Sequence, residues 1–315
     1  MVRNRVYNHF HIDNLELGVQ CMKFSEDQFA KWAAPPSQSE RDRMDNAERA
    51  VRNAIAASDK LRTRRIRIFA QGSYRNRVNV RGDSDVDVAI ACSDTFYWEG
   101  PEGATRETFS IVPATYEFAT FRKEVGDALV AYFGTDAITP GDKAFDVKAN
   151  TYRVEADAAP FFDHRRYFAD GTYLSGVEMQ TRSGSRIINW PDQHYENGVA
   201  KNERTNRSYK GCARILKTLR YAMLGDGIRS AKDATSFLME CLIWNVPDHL
   251  QMQQTWQGSM RQSVAYLFNN TLSNDACSEW GEVSELKYLF RGGQPWTSGS
   301  AHQFLSDCWD YVGFV

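Results

Sequence analysis

The chain has 315 residues, 42% apolar and 25% charged, enough for two domains or one large bilobal unit with an ample core. A formal net charge of −2 argues against a general nucleic-acid binder, so any basic surface must be local. The six cysteines are scattered, with no C-x-x-C pair and no histidine at ligand spacing, so no zinc site is indicated.

In chain order, the opening MVRNRVYNHF has no apolar h-region, and no uncharged stretch is long enough to span a bilayer. A soluble, cytoplasmic protein is expected, with Cys92, Cys241 and Cys308 as reduced core residues. Helices are predicted over 24–34 and 38–61, separated by Pro35-Pro36, with Ser37 or Ser39 as cap. The basic cluster KLRTRRIR (60–67) either flanks a phosphate channel or is a solvated helix end. A strand near 65–70 leads into Gln71-Gly72-Ser73, and a second strand covers 85–92. There Asp85 and Asp87 alternate with Val86, Val88 and Ile90. Alternate strand residues share a face, so both carboxylates can reach one divalent cation. Hard Mg²⁺ takes such oxygens and keeps positions open for water and phosphate. The Gly-Ser turn offers N–H groups and a hydroxyl to phosphate oxygens. Asp83 shares the parity of the pair but sits in a turn, where it is read as a strand cap.

Further on, a helix is predicted over Phe118 to Phe133, strands over 144–149 and 152–159, and a hairpin over 175–190. Helices follow at 205–224, 234–244, 248–272, 282–290 and 297–312. The stretch 201–220 holds seven Lys or Arg and one acid; Arg207, Lys210, Arg214 and Lys217 form one helical stripe, with Thr205 or Asn206 as cap. Read from residues alone, that stripe is either a solvated face or a grip for phosphate. The dispersed histidines and the Trp-rich tail read as structural.

The string QGSYRN…NVRGDSDVDV resembles the bacterial cGAS/DncV-like nucleotidyltransferases (CD-NTases) of the polymerase-β nucleotidyltransferase superfamily. NWPDQHYENGVAKN (189–202), SFLMECLIWNVPD (236–248) and RGGQPW (291–296) are similar to its CdnE-type members, and the resemblance runs from about Ala70 to the C-terminus. It implies an α+β fold, a polymerase-β-like mixed sheet core packed on a C-terminal helical lobe with the nucleotide cleft between them. The expected division is 1–200 and 201–315.

The family takes a third carboxylate from a later strand, an Asp shortly before a Pro. Asp157 ahead of Pro160 matches, with Glu155 as the competing choice. Asp85, Asp87 and Asp157 are then the catalytic, metal-binding acids, with Mg²⁺ as cofactor and Mn²⁺ as a substitute. The resemblance places a triphosphate contact at Lys217, a phosphate contact at Ser236 and a base stack at Phe237. Gln71, Gly72, Ser73 and Lys210 complete the nucleotide-binding set. Asn189, Tyr195, Asn197 and Lys201 are candidates to approach the acceptor base.

The implied activity joins NTPs (ATP, with UTP or another NTP) into a cyclic oligonucleotide, expected to be a cyclic dinucleotide, with release of pyrophosphate. Its implied setting is anti-phage (CBASS) signalling, with an effector that binds the product. The chain is expected to be a monomer that needs no nucleic-acid activator. The alternatives are transfer of a nucleotide to a protein, antibiotic or RNA end, and a sensing module with a vestigial triad.

Overall fold

The computed structural model describes residues 22–82 and 85–315; Cys21 and Asp83, and with it the cap expected there, lie outside them. The described chain falls into two compact units, one of Pro36–Glu196 and one of Asn197–Val315 with the described residues up to Pro35. The expected division puts residues 1–200 together, whereas the described residues before Pro36 group with the helices. The physical reason lies in α1 (Glu26–Ala33). The Glu26 carboxylate accepts from the Trp256 and Gln257 amides at 2.7 and 2.9 Å, supplying negative charge where a later helix begins.

The sheet unit opens with α2 (Gln38–Ala56), started by a capping box in which Ser37 and Glu40 exchange side-chain and backbone hydrogen bonds. Its buried Met44, Ala47, Val51, Ala54 and Ile55 recur at helical spacing and join the core over the sheet. Then come β1 (Ile66–Ala70), the short α3 (Gly72–Asn76) and β2 (Val86–Glu99). After α4 (Phe118–Phe133) come β3 (Ile138–Pro140), β4 (Phe145–Val147), β5 (Ala156–Tyr167), β6 (Tyr173–Gln180) and β7 (Arg186–Asn189). α4 buries Phe118, Phe121, Val125 and Leu129, and its Gly126 lets the Phe145 ring approach to where a side chain would stand.

The sheet order is β1-β2-β5-β4-β3, with β6 pairing β5 and β7 pairing β6. β2 and β5 run parallel; the other pairings are antiparallel. From Val88 to Cys92 β2 is buried on both faces, as expected of a central strand beside a parallel neighbour. Its pairing with β5 shifts register between Cys92 and Phe96.

β5 begins at Ala156 rather than at 152, and continues through Pro160 to Tyr167. Pro160 is tolerated because β4 pairs only as far as Ala158 and β6 begins at Phe162, so no antiparallel neighbour needs its missing N–H. The β6–β7 turn is the expected hairpin tip, and the Asp142 carboxylate accepts from the Ser183 amide at 2.8 Å.

α5 (Pro191–Arg204) carries the boundary between units. The second unit continues with α6 (Ser208–Gly225), α7 (Ser230–Asp233), α8 (Ser236–Trp244), α9 (Asp248–Gln251), α10 (Trp256–Thr271) and α11 (Ser298–Val312). The single predicted helix over 205–224 is interrupted: Asn206 and Arg207 take left-handed backbone, and α6 starts at Ser208. Thr205 Oγ1 and Asn202 Oδ1 accept from the Tyr209 and Lys210 amides, so capping comes from across the break. Residues 282–290 are not helical; a bridge joins Gly281 to Tyr288, and Glu285 sits at φ +59. Among the described residues no helix is long and apolar enough to cross a membrane.

Candidate active site

The sheet unit gathers acids onto one face. Asp87 on β2 and Asp157 on β5 are direct partners in the parallel register. Asp157 is in turn the direct partner of Asp146 on β4. Paired residues on neighbouring strands point to the same side, so three carboxylates form one half-buried rung. Asp85, just ahead of β2, is exposed two residues from Asp87 and shares its parity. Asp146 was not picked out from sequence, although Phe145 and Val147 flank it as apolar residues flank Asp87. Glu155, the competing choice, is exposed and precedes β5; its carbonyl accepts from the Val86 amide at 3.1 Å.

Burial and the crowding of like charge both act on Asp157. Burial, with the Asp146 and Asp85 charges and a hydrogen bond from protonated Asp157 to the Asp146 carboxylate, pushes the Asp157 carboxyl up to about 6. A bound cation would relieve that repulsion, and an all-oxygen donor set suits a hard divalent ion. Among the described residues no group of three Asp, Glu, His or Cys side chains is placed to hold a metal ion.

The Gln-Gly-Ser segment lies against this face. The Gln71 amide donates to the Asp87 carbonyl at 2.8 Å, and Gln71 is the N-cap of α3. Gly72 has φ +62, and a Cβ there would stand 1.9 Å from Asp87 Oδ2. Only glycine permits both the backbone angle and the approach. Ser73 follows in the first turn of α3, and its carbonyl accepts from the Val78 amide at 3.0 Å.

On the helical unit the basic stripe of α6 is not a solvated face. Lys210, Arg214 and Lys217 are 7%, 7% and 2% exposed. Arg214 donates to the Ala33 carbonyl, with Nε at 2.7 Å, and burial pulls its pKa down to about 10. Arg214 therefore ties α6 to the end of α1. Lys217 Nζ lies 3.3 Å from Glu240 Oε2, both side chains being buried. Arg207 falls outside the helix proper, as the left-handed residue before it.

Ser236 opens α8, capped by Thr235, and its hydroxyl lies 2.9 Å from that of Tyr221. Phe237 is 36% exposed, with its ring 5.9 Å from that of Trp296.

The segment 189–202 is mostly α5. Two of its four base-contact candidates are structural: Lys201 donates to the Trp244 and Val246 carbonyls at 2.8 Å and pairs with Asp248. Asn197 donates to the Val283 carbonyl at 2.9 Å. Tyr195 lies beneath the Arg75 guanidinium, 5.1 Å away, and Asn189 ends β7.

Acids on adjacent strands of a mixed sheet, with a glycine backbone pressed against one of them, define a nucleotidyltransferase core. Comparison with known proteins is concordant. Residues 196–313 match the model of the cGAS/DncV-like nucleotidyltransferase C-terminal helical domain. The chain is 43% identical to the cyclic dipyrimidine nucleotide synthase CdnE of Cecembia lonarensis, over 93% of this chain and 99% of that protein. It is 38% identical to the synthase of the same name from Legionella pneumophila, over 91% and 97%. The solved Elizabethkingia meningoseptica CdnE cyclic dinucleotide synthase, with GTP and Apcpp, superposes at TM-score 0.78 and 30% identity, covering 93% of this chain and 100% of that one.

The chain belongs to the cGAS/DncV-like nucleotidyltransferase family. It is an enzyme of the CdnE group, whose members join nucleotides into cyclic products. The α+β architecture with a C-terminal helical domain is that of the group, and the family generally uses divalent metals.

Proposed function

We propose that this enzyme joins pyrimidine NTPs into a cyclic dinucleotide, using Mg²⁺ held on the Asp87–Asp157 rung. The supporting observation for the chemistry is that rung, with Gly72 against Asp87. The base assignment rests on the relatives: those at 43% and 38% identity are cyclic dipyrimidine synthases, while a cyclic GMP-AMP synthase and a cyclic dipurine synthase stand at 32% and 31%.

In this reading Asp85, Asp87 and Asp157 hold the divalent cations. When bound, the cations lower the pKa of the attacking hydroxyl and offset charge on the α-phosphate and the leaving pyrophosphate. Asp157 also accepts the hydroxyl proton in this reading. The Gln71-Gly72-Ser73 segment presents amides and the Ser73 hydroxyl to phosphate oxygens. On the helical unit, Lys210, Lys217 and Ser236 are assigned to phosphates and Phe237 to a base. Each condensation forms one phosphodiester and releases one pyrophosphate, and the second closes the ring. The reading carries with it a cytoplasmic monomer that needs no nucleic-acid activator. It also implies an effector that binds the product in anti-phage defence.

The test incubates purified protein with each labelled NTP, alone and mixed, with Mg²⁺ or Mn²⁺. Products are phosphatase-treated and identified by mass spectrometry beside an Asp85→Asn/Asp87→Asn variant. A phosphatase-resistant product of cyclic dipyrimidine mass, absent with the variant, is expected. A product of purines alone would overturn the base assignment; a product unaffected by the variant would overturn the site.

A further inference from the structure

The far end of the sheet holds a half-open cavity of about 980 Å³, at the upper end of the ~300–1,000 Å³ range of small-molecule sites. It is built from β2 beyond its register shift, the second half of β5, and the connection from Arg106 to Phe118. Arg165 stands eight residues along β5 from Asp157, roughly 25 Å at about 3.3 Å per residue, so this cavity is separate from the acidic face.

Its walls combine two chemistries. Four arginines line it (Arg64, Arg106, Arg165 and Arg186) against two acids, Asp94 and Glu117. Asp94 is already engaged by Arg65, at 3.0 Å, and by Arg64 Nη1, at 3.6 Å, and Arg186 by Glu178, at 2.6 Å. The other cations keep donors to spare. Arg64 Nε is buried without a hydrogen-bond partner while its guanidinium lies 3.5 Å over the Tyr116 ring. The Arg106 carbonyl accepts from the Ile111 amide at 2.8 Å, while its guanidinium has no hydrogen bond or ion pair among the described residues. Arg165 lies 3.8 Å over the Phe96 ring and gives one hydrogen bond, at 3.3 Å, to the Tyr167 hydroxyl.

A buried donor without an acceptor is rare in native structures and marks a place for one. The remaining wall is aromatic: Phe96, Trp98 and Phe109 stay half-buried, and Val112 on the rim is 81% exposed. Guanidinium forks match phosphate oxygens, and aromatic faces take any base.

We propose that this cavity is a second, non-catalytic site that binds a nucleotide, its phosphate held by Arg64, Arg106 and Arg165 and its base laid on the Phe96–Phe109 wall. The site needs no metal, because its counter-charge is arginine. That property separates it experimentally from the acidic face.

Binding of UMP, AMP and a cyclic dinucleotide is measured by calorimetry in EDTA, with the full-length protein. Saturable binding is expected, weakened about tenfold or more by Arg106→Ala and retained by the Asp85→Asn/Asp87→Asn variant. Uridine and adenosine, which lack phosphate, should bind at least about tenfold more weakly. Arg165→Gln, with its melting temperature checked, is the second variant. Absence of metal-free binding overturns the proposal. So does binding unchanged in both arginine variants, or loss of binding in the aspartate variant. Synthesis by Arg106→Ala should match wild type, so failure here leaves the synthase reading standing.

Discussion

Gly72 and Asp87 approach more closely than a side chain at position 72 would allow: the position a Cβ would take on Gly72 is 1.9 Å from Asp87 Oδ2. Gly72→Ala must rotate the carboxylate away or open the turn, and the left-handed φ of +62 adds strain. Displacement of a positioned group by about 1 Å can cost about 100-fold. The expected outcome is a fall of that order in kcat with a folded protein, read by synthesis rate and circular dichroism. Activity within a few-fold of wild type would mean that Asp87 is not held by this contact.

Asp157 carries a stability cost in the metal-free protein. Its folded pKa of about 6 lies above the ordinary carboxylate value, so folding favours the protonated form. The penalty is absent below about pH 4, grows between about 4 and 6, and is complete above that. Discounted for partial exposure, it is on the order of 1–2 kcal/mol at pH 7. Asp157→Asn should therefore raise the melting temperature in EDTA by a few degrees at pH 7 and by nothing at pH 4, while synthesis is lost. A lower melting temperature at pH 7 would refute the crowded-acid account.

Lys217 and Glu240 form a buried pair on which structure and binding can be separated. Lys217→Met leaves the Glu240 charge uncompensated and should cost about 3–5 kcal/mol. Lys217→Met/Glu240→Gln removes both charges and should recover most of that stability. If Lys217 also serves the triphosphate, the double variant keeps a KM for NTP raised about tenfold or more. A wild-type KM in the stable double variant would confine Lys217 to structure.

Phe237 offers the opposite case, an exposed ring with little to lose in stability. Phe237→Ala should leave the melting temperature within about 1–2 °C. Base stacking is worth about 1–3 kcal/mol, so nucleotide affinity should fall about 5- to 100-fold. A drop in melting temperature with unchanged affinity would make it a packing residue.

What was legible in the sequence was local. Alternation revealed Asp85 and Asp87, and a glycine beside a serine marked the turn against them, because strand parity and backbone freedom are properties of neighbouring residues. Asp146 was hidden because its importance comes from β4 pairing with β5 in one register. The α6 stripe left two readings open because its acceptors are distant: Ala33 lies 181 residues from Arg214, and Glu240 lies 23 from Lys217. The 189–202 segment, with Pro191, Gly198 and several asparagines, has poor helix propensity. Tertiary bonds at Asn197 and Lys201 hold it helical all the same. At 282–290 the apolar spacing suggested a helix, but Glu285 in left-handed backbone reverses the chain instead.

The register shift in β2 between Cys92 and Phe96 gives that strand two independent halves. Residues 86–92 keep their partners on β5 whatever happens after 93, because the irregularity absorbs a change in alignment. Evolution can therefore rebuild one end of the sheet, lengthening the 100–117 connection or exchanging Arg106, without disturbing the reaction chemistry at the other. Variation among relatives should concentrate beyond that seam, and each lineage could acquire its own means of control there.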